Sequence, residues 1–385
     1  MHAKHVVSVV GQRTFRGTDT TPQTKMEQRD AYCWRDRNHV GSLNAEPARR
    51  EQSAGTDWRR AVEPFTGPNA RRASFQLVTT LGLLPVTGIA IHLAAKWSLI
   101  AAVLLALPMA GLIVRTFILM HDCAHGSFFA SRRISDAVGF VTGVLTLTPF
   151  VQWRRDHALH HASSGDLDRR GHGDVPTLTV REYLAKSPRG RLAYRIVRHP
   201  LALLLGGPFH LVISQRLRSG SRAAGSAQGT SVWVTNVTIA ALLAIAFATV
   251  GWTTVVLVYA LPYYIAAMTG VWLFYVQHQF ENAYWAPHDG WNYVDAALLG
   301  SSHLRLPAVL QWFTGSIGLH HVHHVAPRIP NYRLQSCHDA HAALFARSPV
   351  VTLRSGTAAL RFALWDEERQ RLVRLRDITD SSFNK

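Results

Sequence analysis

Four long apolar stretches dominate the pattern of hydrophobic and polar positions in this 385-residue chain. They fall at residues 73–95, 97–120, 232–250 and 252–276, and each is long enough to cross a bilayer as a helix, which takes roughly 20 residues. Residues 223–280 contain no Lys, Arg, Asp or Glu at all, which soluble surface does not explain. The first two stretches are joined only around Lys96 and the last two only around Gly251 and Trp252. Joins this short force antiparallel neighbours. The pattern therefore predicts an all-α integral membrane protein, with four transmembrane helices in two hairpins capped by a cytoplasmic helical domain.

Smaller features fill in the plan. Apolar runs at 137–150 and 201–213 are too short to span, and are expected to lie in the interface or re-enter. Residues 219–230, rich in Gly, Ser and Ala, read as a flexible approach to the third stretch. Helical periodicity with interspersed Arg over 332–365 predicts amphipathic helices. The chain divides into a basic leader (1–72), a first hairpin (73–120), a cytoplasmic region (121–231), a second hairpin (232–276) and a C-terminal cytoplasmic region (277–385).

Composition agrees and charge gives an orientation. Hydrophobic residues make up 48% and charged residues only 17%, yet the net charge is +17. Lys and Arg outnumber Asp and Glu by 13 to 8 over residues 1–72 and by 13 to 5 over residues 153–222. Cationic loops stay on the cytoplasmic side, which puts both termini and the middle loop in the cytoplasm, with the bacterial inner membrane as the expected location of this multi-pass protein. The basic residues are scattered through loops without a nucleic-acid-binding motif, so no nucleic-acid partner is expected. Cys33, Cys123 and Cys337 are far apart and read as reduced thiols. The leader lacks the apolar run of a cleavable signal, is too polar to pack, and contains Met26 as an alternative start.

Nine histidines supply the chemistry. His121 and His125 bracket one cluster, His157, His160 and His161 make a second, and His320, His323 and His324 a third, with His278 on its own. Spacings of three and four put side chains on one helical face, and the two-hairpin topology delivers every cluster to one side of the membrane. Nine imidazoles are too many for one ion and suit two. Residue type alone leaves iron, zinc, copper and nickel open. Carboxylates and polar groups that would orient the rings are Asp122, Asp156, Asp166, Asp168, Asp174, His172, Glu281 and Asn282. His321 falls off the face of its neighbours and reads as an orienting or packing residue. Trp272, Phe274 and Tyr275 are expected to line an acyl channel, and Arg115, inside the second span near its cytoplasmic end, reads either as a functional charge or as a cation that snorkels to the interface. His210, His288, His303, His338 and His341 read as surface or packing residues.

The three boxes resemble the histidine boxes of the membrane fatty acid desaturases. Similarity runs from roughly Phe75 to His341, and segments 164–170 and 327–332 resemble the acyl-lipid, omega-6-like bacterial branch. The resemblance implies a non-haem di-iron centre with His121, His125, His157, His160, His161, His278, His320, His323 and His324 as ligands and no catalytic residue beyond the metal site. It also implies that dioxygen and two electrons are used to insert a cis double bond into an acyl chain, carried on a lipid or otherwise. A di-iron hydroxylase, acetylenase or related lipid oxygenase is the alternative. The sequence has no haem-binding His-Pro-Gly-Gly segment, so electrons are expected from a separate ferredoxin- or cytochrome b5-like carrier. A membrane zinc protease would need His-Glu-x-x-His, which is missing. A transporter would keep polar residues at mid-span.

Overall fold

The computed structural model describes residues 58–171, 175–217 and 227–378. Residues 1–57 of the leader, His172, Asp174 and residues 219–226 of the Gly/Ser/Ala-rich linker lie outside the described residues. The principal helices are α1 (Ala70–Ala95), α2 (Leu99–His125), α3 (Arg132–Leu145), α4 (Phe150–Ser163), α5 (Pro188–Val197), α6 (Gly207–Leu217), α7 (Ala227–Val255), α8 (Leu261–His278) and α9 (Asn331–Ala340).

Local chemistry sets the first hairpin. The Asn69 side chain accepts from Arg72 N at 3.0 Å to start α1, and Ser98 accepts from Ala101 N at 3.2 Å to start α2, so backbone donors at both helix starts are satisfied. Gly126 ends α2 immediately after His125 in the left-handed region, at φ 65°, a conformation that costs glycine little. Along α1 and α7, Phe75, Val78, Val86, Ile89, Trp233, Val237 and Ile245 are all exposed. An apolar exterior on this scale is stable only against lipid. α2 runs through the interior with most of its residues from Leu112 to Cys123 buried.

The second hairpin is visible as a break in an otherwise continuous helical run. Gly251 has φ 76° and ψ 168°, far from helical values. Ser231 Oγ accepts from Val151 N at 3.2 Å, and His278 Nε2 lies 3.2 Å from His160 Nε2. Both partners are on α4. A straight helix would separate Ser231 from His278 by about 70 Å, whereas α4 is about 21 Å long, so the chain turns back at Gly251. His92, late in α1, touches Thr254 Oγ1 at 3.1 Å and sets this turn beside the Lys96 turn.

Among the described residues, three helical runs are long and apolar enough to cross a membrane, or up to five if each bent pair counts as one span. The bent pairs are α3 with α4, at 99°, and α5 with Ala202–Arg216, at 69°. They contain the two short apolar runs noted in the sequence.

Two expectations need correction. The C-terminal region is not wholly helical: β1 (Leu178–Thr179) runs parallel to β4 (Phe362–Asp366), β4 pairs antiparallel with β5 (Arg371–Arg374), and β2 (His303–Leu304) runs parallel to β3 (Val350–Val351). The run Phe362-Ala363-Leu364-Trp365 is buried at every position, and a fully buried strand carries no alternation to separate it from a helix. Arg115 also does not snorkel. It is buried, donates through Nε to Thr80 Oγ1 at 3.1 Å and to the Trp312 carbonyl, and lies over the Trp312 ring. It pins α1, α2 and the segment before the third histidine box to one another.

The α3–α4 bend depends on one close approach, since a Cβ on Gly139 would lie 2.3 Å from the Phe150 ring. Gly139→Val is expected to destabilise the protein by about 1–3 kcal/mol through overpacking, seen as a lower midpoint in a thermal-shift assay of detergent-purified protein.

Candidate metal centre

The nine histidines occupy two adjoining clusters. His121, His125, His157, His161 and His323 form one, and His160, His278, His320 and His324 the other, with the ligand atoms of each set within 4.8 Å of one another. The helical spacing explains the division. Within each box the residues four apart (121 and 125, 157 and 161, 320 and 324) go to the same cluster. The residue three after the first, His160 or His323, crosses to the other. His161 and His324 stack with ring centroids 4.2 Å apart where the clusters meet.

Ring orientation says what the clusters hold. His121 Nδ1 lies 3.1 Å from Asp122 Oδ1, and His278 Nδ1 lies 3.1 Å from the Gly300 carbonyl. Both partners are acceptors, so in the neutral ring Nδ1 carries the proton and Nε2 presents a lone pair inward. His121 Nε2 then faces His323 Nε2 at 3.1 Å, while His278 Nε2 faces His160 Nε2 at 3.2 Å and His320 Nε2 at 2.9 Å. His161 Nε2 lies 3.0 Å from His323 Nε2 and 3.1 Å from His157 Nε2. His125 Nε2 and His324 Nε2 are buried without a hydrogen-bond partner. Burial, and after it the neighbouring imidazoles, hold His320, His323 and His324 well below the usual histidine range, which keeps them uncharged. Inward lone pairs on neutral imidazoles repel unless a cation lies among them, so the donor set fits metal ions. All-nitrogen sets of this kind suit iron, zinc, copper or nickel.

The supporting residues sort themselves by contact. Asp122 reaches the site: besides His121, its carboxylate accepts from Asn331 N at 2.7 Å and Asn331 Nδ2 at 2.8 Å, which locks box one to the start of α9. Asp156 is engaged by Gln152 Nε2. Asp168 is exposed and accepts from His288 N at 2.8 Å. Glu281 pairs with Arg371 at 2.9 Å on the surface, and Asn282 is exposed. These four do not contact the nine rings: Asp156 is held by Gln152 along α4, and the loops carrying Asp168, Glu281 and Asn282 leave them exposed. Phe274 packs on the rings of His160 at 5.2 Å and His278 at 5.5 Å. Trp272 instead faces Gly356, and Tyr275 is buried away from the rings, donating to the Phe362 carbonyl at 2.5 Å. His321 contacts none of the nine through a ring nitrogen, and its Nε2 lies 3.2 Å from His338 Nδ1.

Two residues at or near the site, Trp153 and Arg198, gave no signal in the sequence. Trp153 stacks on His157 with centroids 4.3 Å apart. Arg198 is buried 99% and donates to the Pro176 and Phe362 carbonyls, Tyr275 Oη and Gln279 Oε1 at 2.9–3.1 Å. It joins the end of α8, next to His278, to the C-terminal sheet. Asp166, which its closeness to box two in the sequence marks as a candidate carboxylate, is buried and accepts from Asp168 N, Arg169 N and His288 Nδ1, shaping the loop that follows box two.

Comparison with known proteins agrees with this geometry. The model of the family described as fatty acid desaturase matches residues 95–355, which include all nine histidines. A Bacillus subtilis protein named fatty acid desaturase is 40% identical over 319 residues, 82% of this chain and 90% of that protein. The chloroplastic omega-6 fatty acid desaturase of Arabidopsis thaliana is 27% identical over 237 residues, 58% of this chain and 49% of its own length. A Synechocystis protein named sn-1 acyl-lipid omega-3 desaturase (ferredoxin) is 25% identical over 231 residues, 58% of this chain and 62% of its own.

If Asp122 orients His121, Asp122→Asn should weaken metal retention by about 10–100-fold, the usual effect of removing a carboxylate that holds a ligating imidazole. Glu281→Gln should leave retention unchanged. Metal content after dialysis against a graded chelator series measures both.

Proposed function

The chain belongs to the fatty acid desaturase family, and we propose that it inserts a cis double bond into a lipid-bound acyl chain at a di-iron centre held by the nine histidines. It is a membrane oxidoreductase of the desaturase class. The observation that carries the fuller reading is the pair of inward-facing imidazole clusters, set at the ends of helices whose outer surfaces are apolar. Removing hydrogen from an unactivated methylene requires an oxidant that no side chain provides. Two iron ions, with dioxygen and two electrons from a separate ferredoxin- or cytochrome b5-like carrier, would supply it.

The protein's own part is binding and positioning. A cavity of about 460 Å³ opens between α1, α2 and the turn after Gly251, lined by Leu84, Gly88, Met109, Ile113, Thr116, Val258 and Tyr259 among others. Its lining is almost entirely apolar, and each methylene moved from water into such a site gains about 0.8 kcal/mol. Thr116 lies little more than one turn of α2 before His121, while His92 and Thr254 mark the far end. An acyl chain laid along this axis runs from the Gly251 turn towards the histidines. Phe274 packs on the rings of His160 and His278 and gives the second cluster an apolar wall.

We read the topology as four spans in two hairpins, with both termini and the histidine clusters on the cytoplasmic side of the inner membrane. The cation excess over residues 153–222 and the reversals near Lys96 and at Gly251 support this. Asp122 and Gly300, through the Nδ1 atoms of His121 and His278, fix which nitrogens point inward before any substrate arrives.

Expression in a host without polyunsaturated lipids, followed by mass spectrometry of double-bond positions, tests the reaction. New double bonds are expected, and none with His160→Ala inserted at equal level. Hydroxylated chains without new double bonds would replace this reading with the oxygenase alternative. Narrowing the far end of the cavity with Thr254→Trp is expected to shift product towards shorter acyl chains, measurable in the same lipid extracts.

A further inference from the structure

We propose that His303, His321 and His338 form a third metal site, separate from the nine-histidine centre, that takes one zinc ion. Their ligand nitrogens lie within 4.8 Å of one another. His321 Nε2 and His338 Nδ1 are 3.2 Å apart, and the His303 ring centroid lies 5.2 Å from that of His321 and 4.8 Å from that of His338. Zinc–nitrogen bonds of about 2.0–2.1 Å in tetrahedral geometry place ligand nitrogens roughly 3.4 Å apart. One pair already has about that spacing, and the His303 nitrogen lies within 4.8 Å of both.

The three residues come from unrelated parts of the chain. His303 is on β2, His321 on the short helix His320–Val325, and His338 on α9. Simple packing rarely brings three imidazoles from three elements to one point. His321 is fully buried, while His303 and His338 are half-buried. The trio therefore has an anchored floor and a side open to water, which leaves a fourth position for solvent. Three imidazoles with an open fourth place and no carboxylate among them are a set that zinc accepts readily.

The position gives the site its purpose. His321 is next to His320 and two residues from His323, on a helix of six residues. An ion held through His321 would clamp that helix against β2 and α9, and so fix three of the nine ligands from behind. The carboxylate nearest in sequence, Asp339, is exposed and engaged by Gln335 Nε2 at 2.8 Å, so it does not displace the imidazoles from this role.

The test uses the full-length protein, iron-loaded in detergent, titrated with Zn2+ and freed of excess metal. Wild type is expected to retain about one zinc ion per chain more than either His303→Gln or His338→Gln, with iron content the same in all three. The two variants remove different ligands from different elements, so a folding defect in one leaves the other informative. Equal zinc retention in all three proteins overturns the proposal.

Discussion

Nine imidazoles gathered into two clusters, nitrogen facing nitrogen, do not pack against each other as an ordinary core. Where Nδ1 is committed to an outer acceptor, as in His121 and His278, Nε2 has nothing to donate and faces another nitrogen at about 3 Å. A positive charge between the rings makes the arrangement favourable. The rest of the fold follows from that condition, because helices from both halves of the chain must end at one place and in one register. Arg115, Arg198 and the Asp122–Asn331 contact are the ties that hold them there.

Much of this was legible in the amino-acid order. Apolar length located the long helices, the short joins at Lys96 and Gly251 gave their reversals, and spacings of three and four picked out the histidines that face one another. The spacing also contained the split between clusters, since His160 and His323, the i+3 members of the second and third boxes, sit to one side of the line shared by the i,i+4 pair. Reading it required knowing how two boxes oppose each other, which no single helix reveals. Family resemblance supplied the activity, which spacing alone left open among several metals and chemistries.

What stayed hidden shares a physical character. Arg198 looked like one more cation in a basic loop, and its role depends on carbonyls and side chains from α8 and β4 that approach only in the folded chain. His303 and His338 are isolated in sequence, without periodicity to flag them, and acquire meaning only beside His321. Acidic residues near the boxes were harder still: Asp122 turned inward to a ring, while Glu281 turned outward to Arg371. Sequence proximity does not say which way a carboxylate points. The C-terminal strands were missed because a run buried on both faces has no alternating signature.

The third box rides on His320–Val325, a helix of six residues. Isolated helices shorter than about 12 residues do not hold together in water, so this segment borrows its shape from β2, α9 and whatever its histidines bind. A newly made chain can therefore complete its long apolar helices first, while the segment carrying a third of the nine histidines takes shape only once the distant strand and helix that flank it have arrived.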